Sequence, residues 1–292
     1  MASGPVRASR LKGGGRSLAI AAISTVAVFA ALALIVVNAP GWDRVSRSFL
    51  DWENFARSAP GIVAKFGTNA SLFLIAEVLI LAFALVLAVL RSLPGPVFFP
   101  MRLLATIYVD VFRALPGLLV IYVLGFAIPG LSLPGIPKEP FFWGVVALTL
   151  LYSAYVSEVY RAGIESVHPS QSAAARSLGL SQLQAMRYVV LPQAVRRVIP
   201  PLLNDFIGLQ KDTVLVSAIG VVEIFRQTQI RQQATFNFTP FLVTALVFLA
   251  VTIPLARFTD WLVARERDRR YAAVVTARSV AARRGRLWGF GR

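Results

Sequence analysis

Within the largely apolar stretch Ile199 to Ile224, Asn204, Asp205, Lys211 and Asp212 stand at a spacing that could do chemistry. Residues seven apart on a helix nearly align. Asn204 and Lys211 therefore share one line, and Asp205 and Asp212 a second about 100° away. Gly208 lies between them. Such an arc suits the wall of a translocation path, with charges matched to a zwitterionic substrate. The competing role is an internal ion-pair network that fixes packing. Buried pairs lock packing more often than they touch ligands, which favours Lys211–Asp212 as a packing pair. Glu77 stands alone within another apolar stretch, where it snorkels, pairs across helices or lines a cavity. Glu158 and Arg161 are three apart on one helix face, which favours a local pair over a role in the path.

Other chemistry is excluded by composition. The chain has no cysteine and a single histidine, His168, so thiol chemistry, disulfides and histidine-rich metal sites are ruled out. No metal or other cofactor is expected. No Gly-Lys dipeptide occurs, hence no P-loop for ATP. The chain is not expected to be an enzyme, and any ATP hydrolysis must come from another subunit.

The elements that position these residues follow from hydropathy. Of 292 residues, 57% are hydrophobic and 15% charged, a balance typical of membrane proteins. Crossing a bilayer takes about 20 apolar residues. Six stretches qualify: Ser17–Asn38, Asn69–Leu90, Met101–Ile128, Phe141–Tyr160, Ile199–Ile224 and Phe238–Leu262. An all-α integral membrane fold with about six transmembrane helices is expected. The first stretch is too long for a signal peptide and reads as an uncleaved anchor. Between the first two, Phe49 to Phe55 reads as an amphipathic segment at the outer interface.

Charge orients the chain. With the N-terminus inside, cytoplasmic segments carry 20 Lys and Arg and outer segments 7. This ratio places both termini in the cytoplasm of a multi-pass cell-membrane protein. The net charge of +16 is thereby explained as topology, and the nucleic-acid reading fails. The predicted organisation is a basic tail over 1–16, an anchor and outer segment over 17–66, a transmembrane domain over 67–265, and a second basic tail over 266–292. Its arginines suit a partly disordered tail resting on anionic lipid.

Residues 161–194 lie between two spans yet are patterned. Ser170 is predicted to cap a short helix through Ala173, Ala174, Ala175, Arg176 and Leu178, with Gly179 as its stop. A second amphipathic stretch runs from Ser181 to Pro192. The product is a compact knob below the membrane, whose small alanines permit close approach by another surface.

This segment carries a resemblance. Ala173, Ala174 and Ala175, then Gly179 after three residues, then Val189, Leu191 and Pro192, resemble the E-A-A-x3-G-x9-I-x-L-P signature of binding-protein-dependent ABC transporter permeases. Leu191 to Ala194 and Lys211 to Val216 resemble the L-P-Q-A and K-D-T-S-L-V strings of the polar amino-acid branch. Asp110 to Pro116 resembles its D-x-F-R-x-x-P element, and Ala154 to Val167 its stretch before the loop. The resemblance covers about residues 67–265. The signature glutamate is Ala173 here, so any contact made by that carboxylate is absent. What the resemblance implies is a type I ABC importer-like transmembrane domain that forms the path for a polar amino acid. Implied partners are a P-loop ABC ATPase that receives the knob, an extracytoplasmic binding protein and a second permease subunit, identical or not. Two other readings stay open at this point: an ion-coupled secondary carrier using Glu77 and Asp212, and a non-transporting membrane scaffold.

Overall fold

A bilayer core offers no partner to a bare peptide group, so apolar spans must close their own hydrogen bonds as helices. The computed structural model describes the backbone of residues 15–287 and the side chains of residues 17–265. The regular elements among them are all helical. Residues 1–52 and 53–292 form two compact units.

The first unit holds α1 (Gly15–Val37), whose side chains from Ser17 onward are all exposed, and α2 (Trp42–Phe49). The second is built on α3 (Trp52–Ser92), α4 (Phe99–Ala114), α5 (Gly117–Gly130) and α6 (Pro140–Glu165). The short helices α7 (Pro169–Ser177) and α8 (Gln182–Ala185) follow, then α9 (Leu191–Asp212), a 3-10 segment (Thr213–Ile219), α10 (Ile224–Thr235) and α11 (Thr239–Leu287).

Four described helices are long and apolar enough to cross a membrane, and a fifth crossing arises if the bent pair α4–α5 counts as one. The stretch Met101–Ile128, in which Pro116 and Gly117 predict a kink or a new helix start, turns by 107° between α4 and α5. Pro116 is the cause. It disfavours helical backbone at the residue before it, and Leu115 is accordingly extended. The stretch Ile199–Ile224 is likewise not one helix. Helix α9 ends at Asp212, gives way to the 3-10 segment and stops at Gly220, whose φ is +91°. Two further observations concern lengths. Phe55 lies within α3, which is already helical from Trp52. Helix α11 also runs unbroken past Pro254 to Leu287, so the backbone is helical over most of the stretch expected as a partly disordered tail. The basic tail over 1–16 lies outside the described residues except for the start of α1.

The core of the second unit gathers Leu72 and Ile80 of α3, Ile121 of α5, Leu148 of α6 and Leu209 of α9. Leucines and valines on the other side of α3, such as Leu74 and Val78, are exposed, as a lipid-facing surface requires. Glycines allow the tightest crossings. A Cβ placed on Gly163 of α6 would lie 2.3 Å from Cγ2 of Val198 on α9, and one on Gly125 of α5 would lie 2.6 Å from Cγ2 of Ile219. Membrane helices associate through such close approach, because lipid tails give apolar faces no reason to separate from lipid.

Candidate translocation path and coupling segment

Between α6 and α9 the chain turns back at the end of the bundle that carries Glu165 and Leu191. Pro169 occupies the first helical position of α7, which makes its predecessor the cap. His168, not Ser170, therefore caps the helix: its Nδ1 accepts the Ser170 backbone N–H at 3.2 Å. Gly179, with φ +90°, stops it as expected. Its N–H donates to Arg176 O at 3.0 Å and that of Leu180 to Ala175 O at 3.3 Å. Together these two bonds make a Schellman motif. Ser181 then opens α8 with a capping box to Gln184. The helix does not end at Pro192. A π turn over Met186–Val190 leads directly into α9, so residues 182–212 form one continuous rod. The π turn accommodates the proline's missing N–H, and Gln193 Nε2 donates to Val189 O at 2.9 Å beside it. Ala173, Ala174, Arg176, Leu191 and Pro192 are exposed, while Ala175 is buried. Leu178 and Leu183 are 83% and 78% exposed, an apolar tip left uncovered among the described residues.

Further along, α9 crosses α6. The Tyr152 hydroxyl donates to Asp212 Oδ2 at 2.7 Å. Gly208 makes room for it: a Cβ there would sit 3.3 Å from the tyrosine oxygen. Asp205 and Asp212, predicted on one helical line, both line a cavity of about 490 Å³ with Tyr152, Tyr155 and the Pro116–Gly117 break. Asp205 Oδ2 is buried without a hydrogen-bond partner among the described residues. Asn204 and Lys211, on the other line, are both exposed in this single chain.

The expected Lys211–Asp212 packing pair does not form. Asp212 is engaged by Tyr152, and no carboxylate lies within 4.0 Å of Lys211 among the described residues. Successive residues on a helix point about 100° apart, so one can face the core while its neighbour faces out. Glu77 of α3 is half-buried. Glu158 is more than a local partner of Arg161. Its Oε2 accepts from Arg161 at 2.7 Å, while Oε1 pairs with Arg91 of α3 and lies 3.9 Å from Arg113 of α4. Three arginines from three helices thus bracket one carboxylate, a cross-brace rather than an open binding group.

One constellation escaped the sequence reading. Asn69 of α3 donates through Nδ2 to Thr213 Oγ1 at 3.1 Å and to Glu223 Oε2 at 2.9 Å, and its Oδ1 accepts the Ile224 N–H at 3.0 Å. Glu223 caps α10, accepting the backbone N–H groups of Phe225 and Arg226 at 2.9 and 2.7 Å. Asn69 and Glu223 are almost fully buried. An amide in an apolar run and an acid just before a polar helix were the only sequence signals. They lie 154 residues apart.

A bundle with a broken span, an acidic cavity at the break and an exposed helical knob between two long helices is the architecture expected of a membrane permease domain. The chain belongs to the family of binding-protein-dependent transport system inner membrane components, whose model matches residues 96–268. It is 38% identical to the "Probable glutamine ABC transporter permease protein GlnM" of Bacillus subtilis (strain 168), over 65% of this chain and 87% of that protein. It is 32% identical to the "Probable amino-acid ABC transporter permease protein PatM" of Vibrio harveyi, over 74% of this chain and 96% of the relative. A solved amino acid ABC transporter structure with histidines superposes with a TM-score of 0.68 at 31% identity, covering 74% of this chain and 98% of that one. The inward-facing methionine transporter MetNI shares the fold at a TM-score of 0.53 and 17% identity. Family membership bears out the resemblance seen in the loop motifs. It also sets aside the ion-coupled carrier and the scaffold.

Proposed function

We propose that this permease carries a polar amino acid through the cavity between α5, α6 and α9. Asp205, Asp212 and Tyr152 are its polar wall, and the α7 knob couples it to a partner ATPase. The observation that carries this reading is the cavity itself: two carboxylates, one with an oxygen unpartnered among the described residues, face a space at the break in a helix. Buried acids in a membrane are costly unless they have work to do. The amino-acid names of the relatives support the substrate class.

Residues 67–265 form the transporting domain in this reading, with residues 161–194 facing the cytoplasm together with both termini. An external binding protein delivers the substrate, and a second permease subunit completes the pore. Ala173, Ala174, Ala175, Arg176 and Gly179 present the ATPase-docking surface, and the rod continuing through Leu191 and Pro192 carries its movement to Asp205 and Asp212. Glu77 is a further acid of the path in this reading, and the exposed Asn204 and Lys211 face the second subunit. Glu158 braces the bundle.

The knob is the part to test. Ala174→Glu places a charge on its exposed face, and Gly179→Val forces a branched residue into a left-handed turn. Both variants should insert normally yet lose ATPase co-purification or its stimulation by the loaded binding protein, and lose uptake. Wild-type coupling in both would refute the proposed docking role.

A further inference from the structure

We propose that Arg226 receives the carboxylate of the incoming amino acid in an outer chamber, which Leu118 and Leu215 separate from the acidic chamber at Asp205 and Asp212. The inference rests on the amino-acid reading above and adds a second station to it.

A second cavity, of about 590 Å³, lies at the end of the bundle away from the α7 knob. Its polar lining includes Tyr122 of α5, Ser217 of the 3-10 segment, and Arg226 and Gln229 of α10. The Arg226 side chain is half-buried, and its guanidinium donates to Gln229 Oε1 at 3.2 Å. No carboxylate lies within 4.0 Å of it among the described residues. The nearest acid in sequence, Glu223, is buried and spends its oxygens on Asn69 and on the backbone N–H groups of Phe225 and Arg226. A guanidinium has five donors in a planar fork that matches a carboxylate, so a neutral amide alone leaves it under-satisfied. The cavity volume falls in the range of small-molecule sites.

Leu118 and Leu215 line both cavities. Leu215 stands on the 3-10 segment, which packs against the start of α5 near Leu118. The order along the path is therefore a cation, two leucines, then two carboxylates. A zwitterion held at Arg226 by its carboxylate keeps its ammonium group free for the acidic chamber, which begins beyond the same two leucines.

The test uses the permease assembled with its ATPase and second subunit in lipid nanodiscs, without binding protein. Equilibrium binding of tritiated L-glutamine and L-histidine is measured, with L-glutaminamide and L-histidinamide, which lack the carboxylate, as competitors. Arg226→Gln should weaken amino-acid binding about tenfold or more while leaving the amides unchanged, and Arg226→Lys should recover part of the loss. Unchanged amino-acid affinity in Arg226→Gln overturns the assignment, as does an equal loss for amino acid and amide, which marks a merely structural arginine. If Arg226→Gln fails to assemble, Arg226→Lys is compared with wild type by the same amide ratio. A wild-type complex that neither binds these amino acids nor imports any proteinogenic amino acid with its binding protein overturns the substrate class itself, an outcome distinct from failure of Arg226 alone.

Discussion

Gly163→Ala should strain the crossing that sets the geometry of the path. Helices α6 and α9 meet where Gly163 faces Val198, and an added Cβ would fall 2.3 Å from Val198 Cγ2 and 3.4 Å from Ala194 O. Carbon atoms in contact prefer about 3.5–4.0 Å. The valine must therefore leave its rotamer, or the helices must part by roughly an ångström. Overpacking of this kind costs about 1–3 kcal/mol. The same helix pair carries the Tyr152–Asp212 hydrogen bond at 2.7 Å, so separation also disturbs the acidic chamber. Thermal unfolding of the detergent-solubilised complex, read by fluorescence-detected gel filtration, should show a lower midpoint for the single variant. Val198→Ala in the same chain removes the offending methyl groups and should recover most of the loss. A single variant as stable as wild type, or a double variant no better than the single, would refute the claim that Gly163 is required by contact with Val198.

Lys211→Met should leave the yield of assembled complex near wild type if the lysine is unpaired there too, because no buried acid loses a partner. A drop of the size expected for a broken buried pair, about 3–5 kcal/mol, would show that Lys211 is paired across the subunit interface. Asn69→Ala removes three hydrogen bonds from the buried knot and leaves Glu223 short of a donor. Each buried group left unsatisfied costs about 1–3 kcal/mol, so complex yield and melting temperature should both fall. Full stability in that variant would show that the knot holds nothing in place.

Local signals told much of this architecture. Gly179 stops α7 because its positive φ suits a residue without a Cβ, and Ser181 followed by Gln184 opens α8 as a capping box. Asp205 and Asp212 share a cavity because seven residues are close to two helical turns. The family was legible because its loop signature is a contiguous string. Pro116 and Gly117 marked the break but not its size of 107°, and nothing in the spacing showed that the helix from Gln182 would pass Pro192 and continue to Asp212. A proline marks where the helix is weakened, whereas packing decides whether the chain turns or a π turn absorbs the defect.

Partners are where tertiary structure alone decides. From sequence, Lys211 was the natural partner for Asp212, yet Tyr152, 60 residues away, takes that carboxylate. Glu158 gathers Arg91 and Arg113 in addition to its neighbour Arg161, and Asn69 meets Glu223. Periodicity says which face of a helix a side chain occupies. Which other helix covers that face depends on close contacts such as Gly163 on Val198 and Gly125 on Ile219, set by side-chain shapes drawn from distant parts of the chain.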